Sequence, residues 1–214
     1  MEKYQHEFIQ YSHQKQILRF GDFTLKSGRQ SPYFFNIGLF NNGTMLQQLG
    51  YYFAKAIQST KSLQFDMLFG PAYKGIPLVC TTAIALTEHN KKNYPYCFNR
   101  KEIKDHGEGG DLIGAELTGR VLLIDDVLTA GTALHSAKKL IESYNAEVAG
   151  VIIALDRQEK GSQQQSARNE IEQNWQVPVV SIIQLNDLLM YLQQQDGMNA
   201  VLEKIKAYRA AYCG

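Results

Sequence analysis

The rhythm of apolar and polar positions changes repeatedly along the chain. Residues 3–19 place Phe8, Ile9, Ile17 and Leu18 on one side and predict an amphipathic helix. The aromatic run "SPYFFNIG" at 31–38 reads as a strand opened by a proline. Helical spacing returns at 44–60, where Leu46, Leu49, Phe53 and Ile57 recur every three or four residues. "FDMLFGPA" at 65–72 is a buried strand running into a turn, and 75–90 is a helix that tolerates Pro77 only in its first turn. The strand "YPYCFNR" at 94–100 gives way to residues 101–118, where charges and glycines break the pattern. A strand at 120–126, a helix at 131–144, strands at 148–155 and 178–185 and a helical end at 186–212 complete the series. The polar stretch "KGSQQQSARNE" at 160–170 reads as an exposed excursion, and no internal repeat is present. Buried strands alternating with helices imply an α/β fold with a mostly parallel central sheet flanked by helices. Its 214 residues suit a single domain spanning 1–214.

Composition narrows the function classes. The chain has 22 Lys and Arg against 21 Asp and Glu, a formal charge of +1, which argues against nucleic-acid binding by bulk charge. No apolar run has membrane-spanning length, and "MEKYQH" lacks the basic start and apolar stretch of a signal peptide. Cys80, Cys97 and Cys213 have no metal-ligand spacing and read as reduced thiols of a cytoplasmic protein, the first two as core fillers.

The chemistry concentrates in "VLLIDDVLTAGTALHS", residues 121–136. A short apolar run ends in Asp125 and Asp126, and the small-residue turn Thr129-Ala130-Gly131-Thr132 follows. In an open parallel sheet, ligands bind beyond the carboxyl ends of the strands. Gly131 permits close backbone approach, Thr129 or Thr132 can cap the next helix, and free N–H groups at that helix start form an anion site. Carboxylates repel phosphate, so the two acids suit vicinal hydroxyls, a developing cation or a bridging metal. A sugar phosphate satisfies the whole stretch. An isolated Asp pair at a strand end is more often a solvated surface feature; the complete string favours a functional site.

Two common nucleotide motifs fail. Gly70 to Gly75 has the glycine spacing of a P-loop, but Ile76 stands where the lysine belongs. "GEGGDL" at 107–112 lacks the last glycine of a dinucleotide fingerprint and follows no buried strand.

"VLLIDDVLTAGTA" resembles the 5-phosphoribosyl-1-diphosphate (PRPP) binding motif of type I phosphoribosyltransferases. "FTLKSGRQSPYFFNIGLF", "FGPAYKGIPL", "CFNRKEIKDHGEGG" and "ALDRQE" narrow the resemblance to the orotate phosphoribosyltransferase family, in its bacterial, free-standing form. The resemblance covers nearly the whole chain. It implies the type I phosphoribosyltransferase fold, with a small N-terminal hood formed mainly from about residues 1–40 and a flexible lid over about 100–118. It further implies transfer of the phosphoribosyl group to N1 of orotate, with inversion and an oxocarbenium-like transition state. Magnesium would arrive mainly through PRPP, with no protein metal ligand assigned.

The resemblance also distributes roles. Asp125 and Asp126 hold the ribose hydroxyls and face the cationic ring. Val127, Leu128, Thr129, Ala130, Gly131, Thr132 and Ala133 wrap the 5-phosphate. The backbone of Tyr73 and the ammonium of Lys74 contact pyrophosphate, at a turn that in this superfamily often carries a non-proline cis peptide. Arg100 and Lys101 give the lid a reason to close over pyrophosphate, and Lys104 and His106 are candidates for leaving-group stabilisation or protonation. In a homodimer this lid would reach into the neighbouring subunit's site. Lys26, Phe34, Phe35 and Arg157 serve the base, Arg157 by gripping a carboxylate or ring carbonyl with its planar fork. Because Phe34 and Phe35 alternate across a strand, at least one of them belongs to the core.

Other readings compete. A non-catalytic PRPP sensor of the same fold would carry a DNA-binding appendage and a basic surface, and this chain shows neither in its opening helix or its charge. Purine and uracil phosphoribosyltransferases fit the lid, the Lys26 segment and "ALDRQE" poorly. A PRPP synthetase would need an ATP site and a longer chain.

Overall fold

The computed structural model describes residues 1–25, 27–104, 110–128, 132–161 and 165–214. After helix α1 (Lys3–Gln14) the chain forms an antiparallel hairpin, β1 (Leu18–Thr24) and β2 (Gln30–Phe35), which stands as a separate two-stranded sheet. Then follow α2 (Gly43–Ser59), β3 (Met67–Gly70), α3 (Gly75–Asn90), β4 (Tyr96–Lys104), β5 (Gly110–Gly114), β6 (Arg120–Leu128), α4 (Thr132–Ser143), β7 (Glu147–Asp156), α5 (Ala167–Trp175), β8 (Val179–Gln184), α6 (Leu185–Leu192) and α7 (Asn199–Tyr212). The main sheet has six strands in the order β5-β4-β3-β6-β7-β8, parallel except for the antiparallel pair β4–β5.

Apolar runs explain the centre of this sheet. Val121 to Ile124 in β6 and Val151 to Leu155 in β7 are fully buried, as expected of parallel strands covered on both faces. Leu122, Ile124, Ile152 and Ala154 join the larger core, which holds Phe8 of α1, Phe53 of α2, Leu86 of α3, Leu188 of α6 and Ile205 of α7. Val121, Leu123, Val151 and Ile153 join the smaller one, with Leu134 and Ile141 of α4 and Ile171 of α5. Asn42 caps α2 by accepting from the Met45 amide at 3.0 Å.

Several boundaries differ from the sequence expectation. The first helix stops at Gln14, Gln16 takes φ 58°, and Ile17 and Leu18 are buried at the start of β1 rather than on a helix face. Residues 101–118 are not all irregular: β4 runs on to Lys104 and pairs with β5. The polar stretch at 160–170 is not wholly an exposed excursion. Ser166 caps α5 by accepting from the Asn169 amide at 3.2 Å, and Ala167 and Ile171 are buried. The final helical region is divided into α6 and α7, with Gly197 at φ 77° between them.

Helices α2 and α3 cross closely at Gly50. A Cβ there would lie 2.4 Å from the Thr81 carbonyl oxygen, while the Thr81 hydroxyl donates to the Leu46 carbonyl at 2.6 Å. Gly50→Ala is expected to lower stability by about 1–3 kcal/mol through overpacking, despite the better helix propensity of alanine. A urea denaturation midpoint equal to or above that of the parent would refute this account.

Candidate functional site

Strand order reverses direction between β3 and β6, because the chain leaves β3 for β4 on one side and returns to β6 on the other. The crevice at the carboxyl ends of these two strands is where such sheets bind ligands. Phe69 pairs with Leu123 and Gly70 with Phe98, so Asp125 and Asp126 on β6 and Asn99 to Lys101 on β4 all project past the end of β3. Leu128 pairs with Asp156, which sets Arg157 at the same edge one strand further on.

The two acids lie within β6, which continues to Leu128 rather than ending at 126 as expected. Asp125 is buried and its Oδ1 accepts from the Asp126 amide at 2.8 Å. Burial, reinforced by the neighbouring Asp126 carboxylate, pushes the Asp125 carboxyl up to about 7. Asp126 receives the ammonium of Lys74, which reaches across the crevice from the turn after β3.

That turn is built tightly. A Cβ on Gly70 would meet the Gly75 carbonyl oxygen at 2.2 Å, and one on Gly75 the Gly70 carbonyl carbon at 2.6 Å. The P-loop-like spacing of these glycines therefore serves a close backbone contact. The Ala72–Tyr73 peptide is cis. Strand β4 fastens the turn at two points: Asn99 Oδ1 accepts from the Ala72 amide at 2.8 Å, and Lys101 Nζ lies 4.7 Å from the centre of the Tyr73 ring. Between these anchors sits Arg100, whose Nη1 is buried without a hydrogen-bond partner among the described residues. A buried guanidinium nitrogen is costly to leave without a partner.

Arg157 is 4% exposed, and three of its N–H groups are engaged. Nε donates to Glu159 at 2.6 Å, and Nη2 donates to Ser31 Oγ and Tyr208 Oη at 3.0 Å each. Its Cζ lies 4.2 Å from the centre of the Tyr33 ring. Burial works against the charged guanidinium, but Tyr33, Glu159 and Tyr208 outweigh it and hold its pKa above the ordinary value. Of the neighbouring aromatics, Phe35 is buried against Phe8 with ring centres 6.1 Å apart, so its ring belongs to the core. Phe34 is half-buried, beside Phe23 and under the Arg19 guanidinium.

Lys26, His106, Thr129, Ala130 and Gly131 lie outside the described residues, as do the side chains of Lys104 and Thr132. Among the described positions, the crevice brings together Tyr73, Lys74, Lys101, Asp125 and Asp126, followed by Val127 and Leu128, while Arg100 lies between Asn99 and Lys101 on β4. Ala133 is exposed in the first turn of α4. Asn99, Glu159 and Tyr208 were not singled out from the sequence. Asn99 was visible only as a polar residue inside "YCFNR". Among the described residues, no group of three or more His, Cys, Asp or Glu side chains is arranged to hold a metal ion.

Residues 39–182 match the family model of the phosphoribosyl transferase domain. The chain is thus a phosphoribosyltransferase. It is 55% identical over 212 residues to the orotate phosphoribosyltransferase of Vibrio cholerae, covering 99% of both chains. Identity to that of Shewanella oneidensis is also 55%, over 99% of this chain and 98% of the relative. The crystal structure of orotate phosphoribosyltransferase from Francisella tularensis superposes with a TM-score of 0.88 at 41% identity, covering 97% of this chain and all of that one. The chain belongs to the orotate phosphoribosyltransferase family.

The raised pKa of Asp125 has a consequence for stability. Between the unfolded value near 3.8 and about 7, the folded state holds a proton that the unfolded state has lost. The stabilising contribution is therefore complete below the unfolded value and is lost as pH rises through about 7. Asp125→Asn should raise stability at pH 8 by on the order of 1 kcal/mol and flatten this slope. Thermal melts from pH 4 to 8 test it; an unchanged slope in the variant would refute the assignment.

Proposed function

We propose that the chain transfers the 5-phosphoribosyl group of PRPP to N1 of orotate, giving orotidine 5'-monophosphate and pyrophosphate in de novo pyrimidine biosynthesis. The observation that carries this reading is the meeting of Lys74 with the Asp125–Asp126 pair at the β3–β6 crevice. Lys74 supplies a cation on one side of the crevice, and the end of β6 presents carboxylates on the other.

In the reaction, the bond from N1 to ribose C1 forms as the bond from C1 to pyrophosphate breaks, with inversion. Positive charge grows on the ribose ring, and Asp125 and Asp126 face it while holding the ribose hydroxyls. Lys74, Arg100 and Lys101, with the Tyr73 backbone, take the departing pyrophosphate. Residues 127–133 hold the 5-phosphate at the start of α4. The Lys74–Asp126 pair is partly exposed, and such pairs are worth only about 0–1 kcal/mol, so PRPP can displace it at little cost. Magnesium, carried on PRPP, shields the pyrophosphate charge, and the Asp126 carboxylate offers a hard oxygen donor nearby. Lys26, Phe34, the Phe35 backbone and Arg157 receive orotate, with the β1–β2 hairpin as part of a hood.

A homodimer in the cytoplasm completes the reading, with Lys104 and His106 serving the neighbouring subunit's site. Supporting it, α3 is apolar around most of its circumference, yet Ile84 is 59% exposed. Tyr96 and Ile113 on the adjacent β4–β5 edge are also exposed. A groove lined by Leu46, Pro77, Cys80 and Ala85 continues this surface. Nothing in the charge supports a nucleic-acid partner, and among the described residues no helix is long and apolar enough to cross a membrane.

Orotate absorbance should fall only when both PRPP and magnesium are present, and uracil and hypoxanthine should not substitute. Tight PRPP binding without turnover of any base would favour the sensor reading. Lys104→Ala plus His106→Ala subunits, mixed with Asp125→Asn plus Asp126→Asn subunits, should recover activity that neither parent has. No recovery in a verified mixed dimer would refute the shared site. Asn99→Ala should raise KM for PRPP by roughly tenfold, because it releases the Ala72 amide and the turn it holds. An unchanged KM would show that this hydrogen bond does not position the turn.

A further inference from the structure

Arg157 can offer the base much less than an arginine fork. A guanidinium has five N–H donors. The protein itself uses the Nε–H and both hydrogens of Nη2, through Glu159, Ser31 and Tyr208. Only Nη1 remains. A two-pronged grip by the Nε edge would have to displace these partners, and one nitrogen is left to meet a ligand.

The partners form a closed circuit. Tyr208 Oη accepts from Arg157 Nη2 and donates to Glu159 Oε1, which also accepts from Arg157 Nε. The second Glu159 oxygen accepts from Arg29 Nη1 at 2.9 Å, and the Arg29 guanidinium lies 4.6 Å from the centre of the Tyr212 ring. Burying a guanidinium requires both a counter-charge and hydrogen bonds for the remaining donors, and this circuit supplies both. The backbone repeats the connection. The Lys160 amide donates to the Tyr212 carbonyl at 2.9 Å, the Gly214 amide to the Gln158 carbonyl at 3.3 Å, and Cys213 Sγ to the Arg157 carbonyl at 3.6 Å.

We infer that the end of α7 belongs to the base-recognition apparatus: Glu159 and Tyr208 are positioning residues that lock Arg157 so that it presents only Nη1 to orotate. The inference rests on the proposed contact between Arg157 and orotate. It makes specificity depend on a helix whose residues do not touch the base. A locked cation loses no side-chain entropy when the ligand arrives, and it cannot swing to follow a ligand of another shape.

The test is steady-state kinetics on the full chain with Tyr208→Phe, Glu159→Gln, Arg157→Lys and the double variant Tyr208→Phe plus Arg157→Lys. Tyr208→Phe and Glu159→Gln should each raise KM for orotate by roughly tenfold while leaving KM for PRPP and kcat within about twofold. In the Arg157→Lys background, Tyr208→Phe should add no further rise, because it acts through the arginine. If Arg157→Lys leaves KM for orotate unchanged, the contact between Arg157 and the base is wrong and the inference falls with it. If Arg157→Lys raises KM but Tyr208→Phe and Glu159→Gln do not, the contact stands and the positioning role is overturned. Equal losses for both substrates together with a lowered melting temperature would mark Tyr208 and Glu159 as structural only, which also overturns it.

Discussion

The arrangement turns on charge held at the end of β6. Asp125 and Asp126 are neighbours on one strand, and the fold buries the first against the second. Such a pair is unfavourable by itself: desolvation and mutual repulsion both oppose ionisation. The balance comes from Lys74, and Lys74 reaches Asp126 only because the strand order reverses between β3 and β6 and the Gly70–Gly75 contact keeps the intervening turn short. Topology, glycine placement and electrostatics thus serve one requirement, the holding of two adjacent acids at the carboxyl end of β6. Functional sites commonly keep groups that the fold alone would not favour.

The remainder of the edge follows from strand length. Strand β4 outruns β3, and its last residues lean on the turn at Ala72 and Tyr73 through Asn99 and Lys101. That leaves Arg100 in a half-buried position with one nitrogen unsatisfied. Strand β7 ends level with Leu128, which sets Arg157 beside the same edge but in a different setting, enclosed by the N-terminal hairpin and α7.

Much of this was legible in the sequence. The strands with continuous apolar runs, such as Val121 to Ile124, announced a buried parallel sheet, and the acids that follow them lie toward its carboxyl edge. The elements that escaped notice have weak signals for physical reasons. Strand β1, with Arg19, Gly21 and Asp22, belongs to a two-stranded sheet and never needs a fully apolar run. Strand β5 is glycine-rich and pairs on one side only. Helix α5 buries little beyond Ala167 and Ile171, so its polar sequence reads like a loop. Asn99, Glu159 and Tyr208 act through partners 27, 2 and 51 residues away, respectively Ala72, Arg157 and Arg157 again. Neither periodicity nor a local motif reports which side chain or amide a polar group meets once the chain is folded. Local sequence likewise cannot show how many of the Arg157 donors the protein itself uses.

The two ends of the site differ in preparation. At the proposed pyrophosphate end, Lys74 is held only by a partly exposed ion pair, which an incoming anion can replace. At the proposed base end, Arg157 is saturated on one edge, stacked on Tyr33 and braced by α7 before any ligand arrives. The difference suits the two partners. A pyrophosphate group is highly charged, and exchangeable cations can follow it from bound donor to departing product. A flat, singly carboxylated ring offers few handles, so discrimination has to come from a donor that does not move.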